Sequence, residues 1–212
     1  MKRFFAVLLA LCLAGCSAPA SVSGPAASAT VPVEEARTCR IADGAESGSL
    51  LLAEQQENGS LYRVSTADVP VTLDGKEARA ADLRDGMLVT VYYTGGVLET
   101  YPAGLSQPTL LAAVSEGADD RAGLALQALE DLWSEDTALN ENVEQLSVYI
   151  DEALVPNAAE RAAVVWRFAE LHRIMNPLTY TWKELCDEGY VNEEELSWEK
   201  GCYLELKAEK GS

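Results

Sequence analysis

Eleven consecutive apolar residues, Phe4 to Ala14, follow Lys2 and Arg3 at the start of the chain. A membrane-crossing helix needs about 20 apolar residues, so this run is too short to span a bilayer. A positive start, a short apolar stretch and small residues behind it have the form of a secretory signal peptide, which is removed from the mature protein. That feature decides where the rest of the chain is expected to fold: outside the cytoplasm. No second apolar run of spanning length follows it, so the expected mature protein is peripheral.

The end of the signal is more specific. Leu13-Ala14-Gly15-Cys16 resembles the lipobox of bacterial lipoprotein signals. The resemblance implies that residues 1–15 are cut away, that Cys16 takes the lipid, and that the protein stays on the extracytoplasmic face of the cell membrane. Ordinary signal cleavage near Ala18 or Ala20 is the alternative. Two or more acyl chains, at about 0.8 kcal/mol per buried methylene, anchor a protein without a second signal.

Charge narrows the partners. The chain carries a formal net charge of −18, and losing Lys2 and Arg3 leaves −20 on residues 16–212. Segment 17–115 holds 12 acids and 6 bases; segment 116–212 holds 22 acids and 8 bases. Such a surface repels nucleic acid phosphates and anionic headgroups, so no nucleic-acid partner is expected. Solubility alone is a sufficient reason for the acidity.

Beyond Cys16 the order of segments is readable. Residues 17–36 are rich in Ser, Ala and Pro and hold no aromatic side chain. They cannot bury enough apolar surface to order themselves, which predicts a flexible tether over 16–37. From Thr38 short β segments follow. Leu50 to Ala53 and Leu61 to Val64 flank Asn58-Gly59, a dipeptide that favours a left-handed hairpin turn. Val69 to Leu73 reads as another strand. Met87, Val89, Val91 and Tyr93 alternate with Leu88, Thr90 and Tyr92, and Gly95-Gly96 is read as the hairpin turn into Val97 to Tyr101. Thr109 to Val114 is expected to close the sheet. Short strands with regular turn signals predict a small barrel, because closure removes exposed edges.

Ala81-Asp82-Leu83-Arg84-Asp85-Gly86-Met87-Leu88-Val89-Thr90-Val91-Tyr92-Tyr93, with Glu99-Thr100-Tyr101-Pro102-Ala103, is similar to a small OB-like β domain of uncharacterised clostridial lipoproteins. The likeness covers about residues 38–115, and its motifs are structural. It implies a fold and no activity; OB-like barrels often bind oligonucleotides or sugars, which here is fold analogy only.

Residues 116–212 read as mainly helical. Asp119 and Asp120 favour a helix start, and Leu126, Leu129 and Trp133 give it an apolar face. Asn157-Ala158-Ala159-Glu160 has the form of a capping box opening a helix to about Arg173. Its stripe is Val164, Phe168, Leu171 and Met175. Thr181-Trp182-Lys183-Glu184 reads as a second box before a short helix ending at Gly189. Cys202 to Leu206 reads as a terminal strand that can pair with Glu144 to Ile150.

Little in the sequence carries chemistry. His172 is the single histidine, expected as a packed imidazole; alone it makes a poor zinc site. Among the cysteines, Cys39, Cys186 and Cys202 remain after Cys12 and Cys16 are assigned. Cys186–Cys202 is the one pair sharing a domain, and free thiols are an equal alternative. Two acidic clusters, Asp131/Glu135/Asp136 and Asp187/Glu188/Glu193/Glu194/Glu195, lack the spacing of a calcium loop and read as solvated surface. Tyr180, Trp182, Tyr190, Trp198 and Tyr203 crowd one stretch, where aromatics either fill a core or make a contact surface.

The expectation is therefore an α+β protein: a small OB-like antiparallel β-barrel over 38–115, followed by a mainly helical acidic domain over 116–212. No catalytic residue, metal or cofactor is assigned. Trp182, Tyr190 and Trp198 are the candidate binding residues, facing an envelope protein or a cell-wall component. The alternative is a carboxylate-dependent hydrolase acting on wall or extracellular glycans.

Overall fold

A computed structural model of the chain describes residues 33–44, 48–135, 143–174, 177–181 and 202–208. Nine strands make its main sheet: β1 (Glu35–Asp43), β2 (Ser49–Glu54), β3 (Leu61–Ser65), β4 (Val71–Leu73), β5 (Lys76–Ala78), β6 (Leu88–Tyr93), β7 (Val97–Leu98), β8 (Ala103–Leu105) and β9 (Pro108–Val114). Their spatial order is β5-β4-β9-β6-β1-β2-β3-β8-β7. The β3–β8 and β4–β9 pairs are parallel and the rest antiparallel.

The sheet is open, which corrects the expected antiparallel barrel. Closing a sheet requires edge strands long enough to share a ladder at a fixed stagger. Here the edges are β5 and β7, three and two residues long, and they do not pair with each other. β9, expected to close the sheet, sits inside it between β4 and β6.

The second half corrects the expectation of a mainly helical domain. It holds α1 (Arg121–Glu135) and α2 (Ala158–His172), together with β10 (Val143–Ile150), β11 (Pro177–Thr181) and β12 (Cys202–Ala208). These strands form a second sheet with β10 at its centre, parallel to β11 and antiparallel to β12. The pairing of the last strand with Glu144 to Ile150 is as the sequence indicates, with Ile150 opposite Cys202 and Leu146 opposite Leu206.

Local signals explain most of these elements. Asn58 takes the left-handed conformation at φ 60° between antiparallel β2 and β3. Along β6, Val89, Val91 and Tyr93 are buried, while Leu88, Thr90 and Tyr92 are half-buried, the period-2 alternation of a strand with one face on the core. Asp120 accepts the Gly123 amide at 2.9 Å to open α1. Asn157 accepts the Glu160 amide at 3.0 Å to cap α2. The reciprocal half of the expected capping box is absent, because the Glu160 side chain bonds elsewhere.

Gly95-Gly96 is not a hairpin turn. The β6–β9 ladder ends at Tyr93 opposite Pro108. Thr94 N then donates to Gln107 O, and Gly95 N to Ser106 O, both at 3.2 Å. Pairing resumes with Val97 opposite Leu105 and Leu98 opposite Gly104. The two strands thus form one long bent arm that turns at residues 99–102. A side chain at Gly95 would meet Ser106, so glycine serves close strand approach at a bend.

β2 shows how the layers meet. Leu50, Leu51, Leu52 and Ala53 are all buried, the mark of a strand covered on both faces. Leu50 and Leu52 join the core of the main sheet with Val64, Val91 and Leu111. Leu51 and Ala53 face Ala159, Ala163 and Trp166 of α2. Small residues let the helix lie close. The other side of α2 presents Val164, Val165 and Phe168 to Ala125 and Leu129 of α1 and to Val148 and Ile150 of β10. The expected stripe runs out of cover after Phe168, since Leu171 is exposed; Met175 lies outside the described residues.

Candidate functional site

Glu54 follows Leu50 and Leu52 at period 2 and so points inward from β2 with its carboxylate buried. It accepts hydrogen bonds from Arg37 Nη1 at 2.9 Å, Tyr62 Oη at 3.1 Å and Ser60 N at 3.2 Å. Burial pushes its carboxyl up, but the bonds from Ser60, Arg37 and Tyr62 outweigh this and hold it below the usual carboxylate range. Beside it, Tyr93 donates to Glu35 at 2.8 Å and accepts from Arg37 Nε at 3.3 Å. Cys39, fully buried, has its thiol pushed up to about 12 by desolvation and by the charge of Glu54. It is an inert core thiol rather than a nucleophile.

A second polar cluster ties α2 to the main sheet. Arg40 donates through Nε to Glu160 at 3.1 Å, and through Nη1 to Gly86 O at 2.7 Å and Gly117 O at 3.1 Å. Gln55 donates to the same Glu160 oxygen at 2.9 Å, and Asn157 donates to Glu54 O at 3.1 Å. Arg40, Gln55, Asn157 and Glu160, with Asp119, Arg121 and Pro156, border an open depression of about 220 Å³. Gly86 has φ +82°, and a Cβ there would come within 2.9 Å of the Asp119 and Asp120 backbone.

At the opposite end of α2, Arg167 lies 3.3 Å from Asp43 and 3.4 Å from Asp85. Burial pushes the Asp85 carboxyl up, against the pull of Arg167. Asp43, Arg167, Glu170 and Leu171 line a depression of about 240 Å³ there. His172 is packed as the sequence suggests: Nε2 is 2.9 Å from Glu130, and the Trp133 and Phe168 ring centroids each lie 4.5 Å away. Asp131 of the first acidic cluster accepts from Gln127 at 2.9 Å. Among the described residues, no group of three or more His, Cys, Asp and Glu side chains is placed to hold a metal.

The arm makes the remaining surface. Val97, Leu98 and Tyr101 are exposed, and the Tyr101 ring stands edge-on to Trp166 of α2 at 5.4 Å. The Trp166 indole N–H is buried and finds no acceptor among the described residues.

Cys16, Trp182, Tyr190 and Trp198, the residues singled out from sequence, lie outside the described residues. So do Asp136, Cys186, Gly189 and the acids from Asp187 to Glu195. The Glu54 and Arg40–Glu160 clusters were not anticipated. A signal for the first was present: a carboxylate at an inward position of an apolar strand needs partners. Comparison of the chain with protein-family models, with characterised proteins and with solved structures gives no match. No helix among the described residues is long and apolar enough to cross a membrane.

Proposed function

We propose that the chain is a membrane-anchored extracytoplasmic lipoprotein acting as a non-enzymatic binding or accessory module for an envelope protein or a cell-wall component. The observation that carries binding over catalysis is the state of its buried charges. Glu54, Glu160 and Arg161 are buried, and each is bonded more than once within its own chain. Glu54 has three donors, Glu160 has Arg40 and Gln55, and Arg161 donates to Val155 O at 2.7 Å and Pro156 O at 2.9 Å. These groups hold elements together.

A glycan hydrolase needs a carboxylic acid of raised pKa beside a second carboxylate. Glu54 is shifted the other way. Asp85 is shifted upward by burial, but the Arg167 guanidinium is paired with both it and Asp43, so both carboxylates are engaged within the chain. The lipobox supports the anchor, and Trp182, Tyr190 and Trp198 are the proposed contact residues.

Metabolic labelling with a palmitate analogue should mark the wild type and leave Cys16→Ala unlabelled; equal label would remove the anchor. Crosslinking in the native envelope should capture a partner that Trp182→Ala or Trp198→Ala loses at unchanged melting temperature. Hydrolysis of purified wall glycan that disappears in Asp85→Asn would replace the binding module with the hydrolase.

A further inference from the structure

The chain enters its folded body at one end of the main sheet. Glu35, the first residue of β1, pairs with Tyr93, and the Glu34 carboxylate accepts the Thr109 hydroxyl at 2.7 Å. The β6–β9 hairpin does not stop at that level: residues 94–107 carry it onward as the bent arm. β8 lies against β3, and Tyr101 meets Trp166, so the arm is held in place. Four of the seven large hydrophobic side chains exposed among the described residues are at this end: Val33 at 77 %, Val97 at 43 %, Leu98 at 52 % and Tyr101 at 64 %. The far edge, β5, carries Lys76 and Glu77 instead, the usual protection of an edge strand.

We propose that the arm is a second, weak membrane contact, with Val97, Leu98 and Tyr101 resting in the interfacial layer of the bilayer that holds the anchor. This rests on the lipid anchor proposed above. Sixteen residues separate Cys16 from Val33; even fully extended they reach about 55 Å. The entry end of the body therefore stays within that distance of the anchored Cys16. A short tether sets an effective concentration on the order of millimolar, so a contact too weak to bind alone becomes populated. Tyrosine suits the interface, with its ring among acyl chains and its hydroxyl in the headgroups. The net charge of −20 on residues 16–212 and Glu99 at the tip select zwitterionic over anionic headgroups. The same charge disfavours a second copy of the chain as the occupant.

The test uses the full lipidated chain in phosphatidylcholine vesicles and follows hydrogen exchange across residues 94–107 by mass spectrometry. Against unlipidated Cys16→Ser without vesicles, these amides should exchange several-fold more slowly, while residues 71–78 at the far edge stay unchanged. Replacing half the lipid with phosphatidylglycerol should reduce the protection. A V97Q/L98Q variant should lose it at an unaltered melting temperature. The mass of the Cys16 peptide reports acylation in the same sample. An acylated chain with an unprotected arm overturns the arm contact alone; a chain without acyl groups overturns the anchor and the arm together. Protection in native envelopes but not in pure vesicles would assign the arm to a protein partner and overturn the proposal.

Discussion

Arg40 Nε lies 3.1 Å from Glu160 Oε1 across 120 residues of chain, joining β1 to the first turn of α2. Both side chains are largely withdrawn from water, at 15 % and 6 % exposure. The pair is therefore costly to break from one side, since the surviving charge is left buried without its partner.

Arg40→Met is expected to destabilise the protein by about 3–5 kcal/mol. The R40M/E160M double variant should recover much of that loss, because no uncompensated charge remains. Urea unfolding of the two single variants and the double gives the coupling. Additive losses would show that Arg40 acts through Gly86 O and Gly117 O rather than through Glu160.

Gly75 and Gly86 both have positive φ, but only Gly86 is crowded. Gly75→Ala should cost about 1–2 kcal/mol, the left-handed conformation alone. Gly86→Ala should cost clearly more, because its Cβ also meets the Asp119 and Asp120 backbone. Thermal unfolding decides this, and equal losses would mean that the 86–120 contact yields easily.

Leu51→Ala should cost about 2–5 kcal/mol, comparable to Leu50→Ala. On a sheet with one solvated face, neighbours on a strand differ sharply. Here Leu51 lies under α2 and Leu50 lies in the sheet core. Near-neutral Leu51→Ala would show that α2 does not cover β2 in solution.

Glu54 makes stability acid-sensitive with a definite sign. Its carboxyl is held below its ordinary value in the folded chain, so its contribution is present above the unfolded pKa of about 4.3. That contribution is lost as pH falls through the lower folded value. The wild-type melting temperature should change little between neutral pH and about pH 5 from this group, then fall. Glu54→Gln should lower stability at pH 7 and flatten the acid limb. A wild-type and variant difference independent of pH would place the effect in packing instead of charge.

Several elements were readable because they obey local rules. The period-2 pattern of β6, the left-handed Asn58, the Asn157 cap and the strand over Cys202–Ala208 depend on backbone geometry within a few residues. Other features depended on distant segments. Gly95-Gly96 suits a turn or a bend equally, and pairing with residues 106 and 107 chose the bend. Glu160 was placed to complete a capping box, but Arg40 and Gln55, far away in sequence, took its carboxylate. Leu171 continued an apolar stripe, but its side chain is exposed.

The sequence by itself therefore carried the expected export and anchoring signal, the acidic character, and several of the short strands and helix starts, since these follow from local composition and periodicity. Only the tertiary structure decided that the sheet stays open, that β2 is covered on both faces, and that Glu54 and Glu160 are held by arginines. Those outcomes depend on which surfaces meet, and burial and Coulomb interaction act through space between residues that the chain order keeps apart.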